Sequence, residues 1–193
     1  MGKQTKSTLD LLKKIKRMPQ VILPKDVALI VAYTGLRSDW RVLDAGTGSG
    51  FLALFLSGLV KEVISYEKRK EFADSVKKQV KKLGVKNLKI INKDILLAKV
   101  KRKFDLITLD MKFAEDAVKK LDRNLKENGF FVVYSPHIEQ VKKVRDALNK
   151  MEYKVVTVEN IVREWKVTET HTHPIPSGIL HTGFLTIGRR TTY

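Results

Sequence analysis

Three glycines at alternate positions, Gly46, Gly48 and Gly50, stand between a short apolar run and a longer one. The run before them, Val42-Leu43, ends in an acid, Asp44, and the run after them, residues 51–56, is apolar and helix-forming. That order predicts a strand, a tight turn and a helix. Glycine lets the backbone turn sharply and lets a ligand come close to it. The following helix aims its unpaired N–H groups and the positive end of its dipole at the turn. Such a turn suits a nucleotide-like ligand.

The spacing narrows the choice of ligand. It is G-x-G-x-G rather than the G-x-G-x-x-G of dinucleotide sites. Asp44 places a negative charge where a pyrophosphate would be repelled and a cationic amino acid welcomed. Both features favour S-adenosylmethionine over NAD. The next predicted strand, residues 62–66, runs into Glu67. A carboxylate ~20 residues beyond the glycines is placed to accept both ribose hydroxyls. A tight strand-to-helix turn alone would explain the glycines but not acids at two successive strand ends.

Further strands are expected at residues 88–91, 104–109 and 130–134, with helices between them. The helix at 69–83 buries Phe72, Val76, Val80 and Leu83 at helical spacing, and Gly84 caps it. Ala114, Val118, Leu121 and Leu125 mark another helix, closed by Asn128-Gly129. A helix from about Pro24 or Asp26 to Thr34 ends at Gly35, and one spans 138–151. Two late strands, 153–167 and 178–188, flank a loop with Pro174, Pro176 and Gly178. Repeated strand–helix alternation followed by a terminal strand pair indicates an α/β fold, a mainly parallel sheet with helices on both faces. Ligands of such sheets sit at the carboxyl ends of the strands. Asp44, Glu67, Asp94 and Asp110 fall at the carboxyl ends of successive strands. Acids are also frequent at helix starts, where they cap, but four in register around one crevice read better as a site. Asp94 is placed to accept from an adenine amino group, with Ile95 packing on the ring.

The chain carries 38 Lys and Arg against 21 acids, a net charge of +17. So large an excess in one small domain points to a polyanion partner, with nucleic acid the expected one. Residues 68–103 hold fourteen Lys/Arg, with Lys77, Lys78, Lys81 and Lys82 at helical spacing. At 193 residues there is room for one domain with a sizeable core. No stretch approaches the ~20 apolar residues of a membrane span, and no h-region follows the basic N-terminus. Without cysteine there are neither disulfides nor thiolate metal sites. A cytoplasmic location is expected. Residues 1–18 form a basic extension, with Leu9, Leu11, Leu12, Ile15 and Met18 suggesting a short amphipathic helix, and the domain itself runs from 19 to 193. His171 and His173, an H-x-H pair in a polar, proline-rich stretch, read as a plain loop, and no metal is expected.

With these residues in place the chain resembles the tRNA (adenine-N1)-methyltransferase family of class I S-adenosylmethionine-dependent enzymes. The resemblance covers nearly all of residues 17–190. It is carried by Arg17-Met-Pro-Gln-Val-Ile-Leu-Pro-Lys-Asp26, Leu43-Asp-Ala-Gly-Thr-Gly-Ser-Gly50, Ser65-Tyr-Glu67, Leu109-Asp110, Tyr134-Ser-Pro136 with Gln140, and His181-Thr-Gly-Phe-Leu185. It implies a Rossmann-like sheet of seven strands with an antiparallel last strand, and a homotetramer. Together with the residue reading, it assigns Asp44, Gly46, Thr47, Gly48, Ser49, Gly50, Glu67, Phe72, Asp94 and Ile95 to S-adenosylmethionine. It implies Asp110 as the catalytic aspartate, and Tyr134, Gln140 and His181 as substrate contacts. The implied activity is methyl transfer to N1 of an adenine in tRNA. Three departures stand out. Family members typically carry an N-terminal β-rich domain, where about 18 residues precede the match here; Leu23 stands where a Tyr is usual; Ala114-Glu115 stand where Pro-Trp is usual. Two other readings compete: a small-molecule methyltransferase like the cobalamin-pathway enzymes, against which the charge argues, and a non-catalytic RNA-binding subunit.

Overall fold

A computed structural model describes residues 22–176 and 181–191. The expected N-terminal amphipathic helix lies outside the described residues. Seven strands form one sheet in the order β3-β2-β1-β4-β5-β9-β6, where β1 is Arg41–Ala45, β2 Glu62–Glu67, β3 Leu88–Asn92, β4 Phe104–Leu109, β5 Leu125–Ser135, β6 Lys154–Glu159 and β9 Phe184–Arg189. All neighbours pair in parallel except β9, which is antiparallel to both β5 and β6. The expected sheet, with its antiparallel last strand, is what the chain forms.

Alternate residues of each central strand enter separate cores, because a parallel sheet is covered on both faces. Val42, Leu106 and Val132 meet Val27 and Ile30 of α1 (Pro24–Thr34), Leu52 and Leu56 of α2 (Phe51–Ser57) and Val76 of α3 (Lys70–Leu83). Leu43, Ile107 and Phe131 meet Val118 and Leu121 of α4 (Ala114–Leu121) and Val144 and Leu148 of α5 (Ile138–Lys150). From β1 the chain builds outward through β2 and β3, then crosses back to lay β4 on β1's other side. The strand order therefore reverses between β1 and β4, and a crevice opens at their carboxyl ends.

Several expectations about elements need correction. The helix expected to reach Leu125 stops at Leu121, a 3-10 turn spans Asp122–Asn124, and Leu125 opens β5 as the partner of Phe104. Its spacing from Leu121 is helical, but the space it fills is in the sheet. Asn128, with φ 57°, and Gly129 lie where the β4–β5 register shifts, rather than closing a helix. The strand expected over 153–167 is broken. β6 ends at Glu159 because Asn160 turns to the N-terminal helix, its Nδ2 donating to the Lys25 carbonyl at 2.7 Å while Lys25 Nζ donates to its carbonyl. Beyond it, β7 (Trp165–Val167) pairs with β8 (Thr172–Pro174) in a separate two-stranded sheet, so the stretch around His173 is a hairpin strand and not a plain loop. The last strand begins at Phe184, and residues 177–180 lie outside those described.

Candidate active site

The glycine turn sits on the strand-order reversal. Gly46 and Thr47 donate their backbone N–H to the Tyr66 carbonyl of β2. Gly46, at φ +92°, lies so close to β4 that a Cβ would stand 1.9 Å from the Asp110 carbonyl oxygen. A Cβ on Gly50, the residue before α2, would stand 2.6 Å from Val76 of α3. A Cβ on Gly48 would meet nothing closer than the Gly46 carbonyl oxygen at 3.8 Å. The outer two glycines thus let strand and helices close up, and the middle one leaves room for a ligand. Thr47 Oγ1 and Ser65 Oγ share a hydrogen bond, and Ser49 Oγ accepts weakly from the Phe51 N–H at 3.4 Å.

The four acids divide into two kinds. Asp44 is fully engaged beneath the turn: Ser65 Oγ donates to it at 2.6 Å and Thr108 Oγ1 at 2.8 Å. It does not line the cleft. Burial raises its carboxyl above the ordinary range, against those two hydroxyls. It braces β1, β2 and β4 from within the sheet.

Glu67, Asp94 and Asp110 line one cleft of about 470 Å³, a size suited to a cofactor and a base. Glu67 is buried and accepts from the Gly48 N–H at 3.0 Å, the Arg69 N–H at 3.0 Å and Arg69 Nε at 3.1 Å. The Arg69 guanidinium lies 3.6 Å from the centre of the Phe72 ring, so Phe72 supports Glu67 through Arg69 and is not among the cleft-lining residues. Asp94 Oδ1 accepts from the Leu96 N–H at 2.9 Å, and Ile95 is buried beside it, the polar and apolar faces an adenine ring needs.

Asp110 follows β4, its N–H donating to the Ala45 carbonyl at 2.9 Å. Its carboxyl pKa is pushed up to about 7, chiefly by desolvation, then by the nearby charges of Asp44 and Glu67, with Arg69 opposing. It does not cap α4, whose first turn has Phe113 before it and no side-chain cap. Among the described residues no hydrogen bond or ion pair holds this carboxyl, and a group so perturbed in a cleft is a candidate functional group. Glu115, in the first turn of α4, is not among the cleft-lining residues.

Tyr134, Pro136, His137 and Gln140 complete the cleft. The Tyr134 hydroxyl donates to the Thr182 carbonyl, and burial pushes its pKa up to about 12. Gln140 Oε1 is buried without a partner among the described residues, an acceptor left for a ligand donor. His181 lies outside the cleft lining: its Nδ1 bonds Glu159, which raises its pKa, and its Nε2 approaches the Pro136 carbonyl at 3.3 Å. Its neighbour Thr182 meets Lys25 Nζ at 2.8 Å and buried Asp26 at 3.2 Å, so the Pro24-Lys25-Asp26 and His181-Thr182 stretches clasp each other behind Tyr134.

Sequence reasoning missed Arg69 and the lysines Lys68, Lys93 and Lys112 that also line the cleft. Each stands within two residues of a strand-end acid, and that adjacency was the available signal.

Residues 11–182 match the family described as the tRNA methyltransferase complex GCD14 subunit. The chain belongs to this family. It is similar to the tRNA (adenine(57)-N(1)/adenine(58)-N(1))-methyltransferase TrmI of Methanocaldococcus jannaschii, 33% identical over 93% of this chain and 75% of that protein. Among solved structures, the tRNA (m1A58) methyltransferase TrmI of Aquifex aeolicus aligns with a TM-score of 0.88 and 28% identity, over 97% of this chain and 77% of that one. A SAM-dependent O-methyltransferase of Thermotoga maritima aligns with a TM-score of 0.88 and 25% identity, over 97% of this chain and 72% of that one. The family and fold imply S-adenosylmethionine as cofactor, and the cleft fits it: Gly46 of the turn, carboxylates at Glu67 and Asp94, apolar Ile95.

Glu67→Ala removes a carboxylate that both lines the cleft and holds Gly48. Affinity for S-adenosylmethionine is expected to fall about 10–100-fold, the scale of a lost charged hydrogen-bond acceptor. Calorimetric titration giving equal affinities would remove Glu67 from the site.

Proposed function

We propose that this protein transfers the methyl of S-adenosylmethionine to N1 of an adenine in tRNA. The observation that carries the reading is Asp110, a carboxylate at the end of β4 with no fixed partner among the described residues, sharing with Tyr134 and Gln140 a cleft whose other half suits an adenosine. Family membership and the net charge of +17 support it.

Bound S-adenosylmethionine supplies a methyl group on a positively charged sulfur, an electrophile that needs no further activation. Adenine N1 keeps a free lone pair at neutral pH, so the chain need not supply a strong base. As the N1–C bond forms and the S–C bond breaks, positive charge spreads over N1 and the N6 amino group. The Asp110 carboxylate accepts from N6 and is stabilised more strongly as that charge grows, which lowers the barrier selectively. Tyr134 and Gln140 orient the base, and close alignment supplies much of the remaining rate. A paired adenine must leave its stack to enter.

RNA is held by exposed lysines, with Lys77, Lys78, Lys81 and Lys82 of α3 as the first candidates and residues 1–18 as a basic extension of the single domain from residue 19. The assembly is a homotetramer. The exposed Trp165, Val167 and Ile175 of the β7–β8 hairpin offer apolar surface for it. The activity belongs in the cytoplasm with its tRNA substrate.

The test is incubation with methyl-labelled S-adenosylmethionine and unmodified tRNA, followed by nucleoside analysis. Label in 1-methyladenosine is expected. Cofactor binding without incorporation into tRNA would contradict the proposal and favour a non-catalytic RNA-binding subunit.

A further inference from the structure

Phe113 stands between Lys112, which lines the cleft, and the first turn of α4. Its backbone is left-handed, φ 60° and ψ 38°. Among the described residues, the other non-glycine positions with positive φ are Asn128 and Glu152, both polar. A bulky apolar residue seldom takes this conformation, and such strain collects at functional sites. Glycine would adopt the same backbone freely. The ring is not repaid by burial either, for Phe113 is 61% exposed. A strained backbone thus presents an aromatic face to solvent, three residues from Asp110.

We propose that Phe113 is a stacking platform for the RNA base next to the adenine presented to Asp110, with exposed Lys112 meeting the intervening phosphate. The inference rests on the function proposed above. Drawing an adenine out of its stack leaves its neighbour with one face uncovered. An aromatic ring replaces the lost partner without regard to sequence, because every base has a π-face. Three residues of chain span at most ~11 Å, so the platform and Asp110 share one lip of the cleft. The backbone holds the ring outward before RNA arrives, and little ordering is left to do on binding.

Two variants test this. Phe113→Gly removes the ring and relieves the strain, so its melting temperature should equal or exceed that of the wild type. Its affinity for S-adenosylmethionine should not change. Its KM for tRNA should rise about tenfold, within the range of one lost base–aromatic stack. Phe113→Trp should keep a KM near that of the wild type. An unchanged KM in Phe113→Gly, on a tRNA that the wild type methylates, would overturn the platform. So would a smaller particle by light scattering, since the ring would then belong to a subunit contact. Failure of the wild type to methylate tRNA would instead be a failure of the proposed function. Binding of fluorescent tRNA would then decide, with equal affinity in wild type and Phe113→Gly overturning the platform.

Discussion

Asp110→Asn is expected to lower kcat by ~10²–10³ while leaving affinity for S-adenosylmethionine nearly unchanged, the scale of losing one preorganised electrostatic contact. Asn keeps the size and removes the charge. Were Asp110 a helix cap, Asn would serve equally well, but α4 has no side-chain cap to lose. The same variant should move stability the other way. The Asp110 carboxyl in the folded protein sits at about 7, whereas an unfolded aspartate titrates near ~3.9. An acid whose folded pKa is raised takes up its proton on folding. The empty protein therefore keeps its full stability below the unfolded value and loses stability as pH rises toward 7, by up to ~4 kcal/mol. Asn cannot ionise, so above pH 7 Asp110→Asn should melt higher than the wild type while turning over far more slowly. The pH profile carries the same sign. Wild-type kcat/KM, which reports the free enzyme, should fall as pH drops through about 7, where Asp110 is protonated. The variant's residual activity should be flat there. A variant that matches the wild type in rate would remove the carboxylate from the mechanism.

Gly46→Ala is expected to abolish measurable cofactor binding and to cost about 2–4 kcal/mol of stability, the combined scale of overpacking and a strained left-handed backbone. Its Cβ would stand 1.9 Å from the Asp110 carbonyl oxygen, and backbone cannot swing away as a side-chain tip can. The turn and the end of β4 must part, and both halves of the cleft lose their alignment. Gly48→Ala makes the comparison. Its Cβ meets nothing closer than the Gly46 carbonyl oxygen at 3.8 Å, so the fold should tolerate it better, paying only for φ +52°, while the methyl intrudes where the ligand approaches. Calorimetric melting and cofactor titration of the pair check both expectations. Normal folding and binding in Gly46→Ala would show that the turn and β4 are not packed as described.

The parts of this site that could be read in the sequence are those whose chemistry is local. Alternate glycines after a strand announce their turn wherever they occur, and acids one residue past apolar runs place themselves at strand ends. Asp44 marks the limit of that reading. Its charge was visible, but not that Ser65 and Thr108, on two neighbouring strands, would occupy both its oxygens. Phe72 was legible as a helix face but not as the surface under Arg69. His181 and Lys25 lie at opposite ends of the chain, and nothing in their spacing shows that Thr182 and Asp26 clasp behind Tyr134. Leu125 shows why helical spacing misleads: a 3-10 turn preserves the rhythm of apolar residues while the chain passes from helix to strand. The β7–β8 hairpin escaped because both strands are largely exposed, so neither carries the alternation that marks a half-buried strand.

The most direct test of the central claim, that Asp110 stabilises charge developing on the adenine amino group, couples the enzyme to its substrate. A tRNA carrying purine, which lacks the N6 amino group, in place of the methylated adenine should be compared with unmodified tRNA in single-turnover assays of wild type and Asp110→Asn. The wild type should slow by ~10²–10³ on the purine substrate, and Asp110→Asn should slow little further, because the contact is already lost. Equal slowing of both enzymes by the purine substitution would contradict the claim.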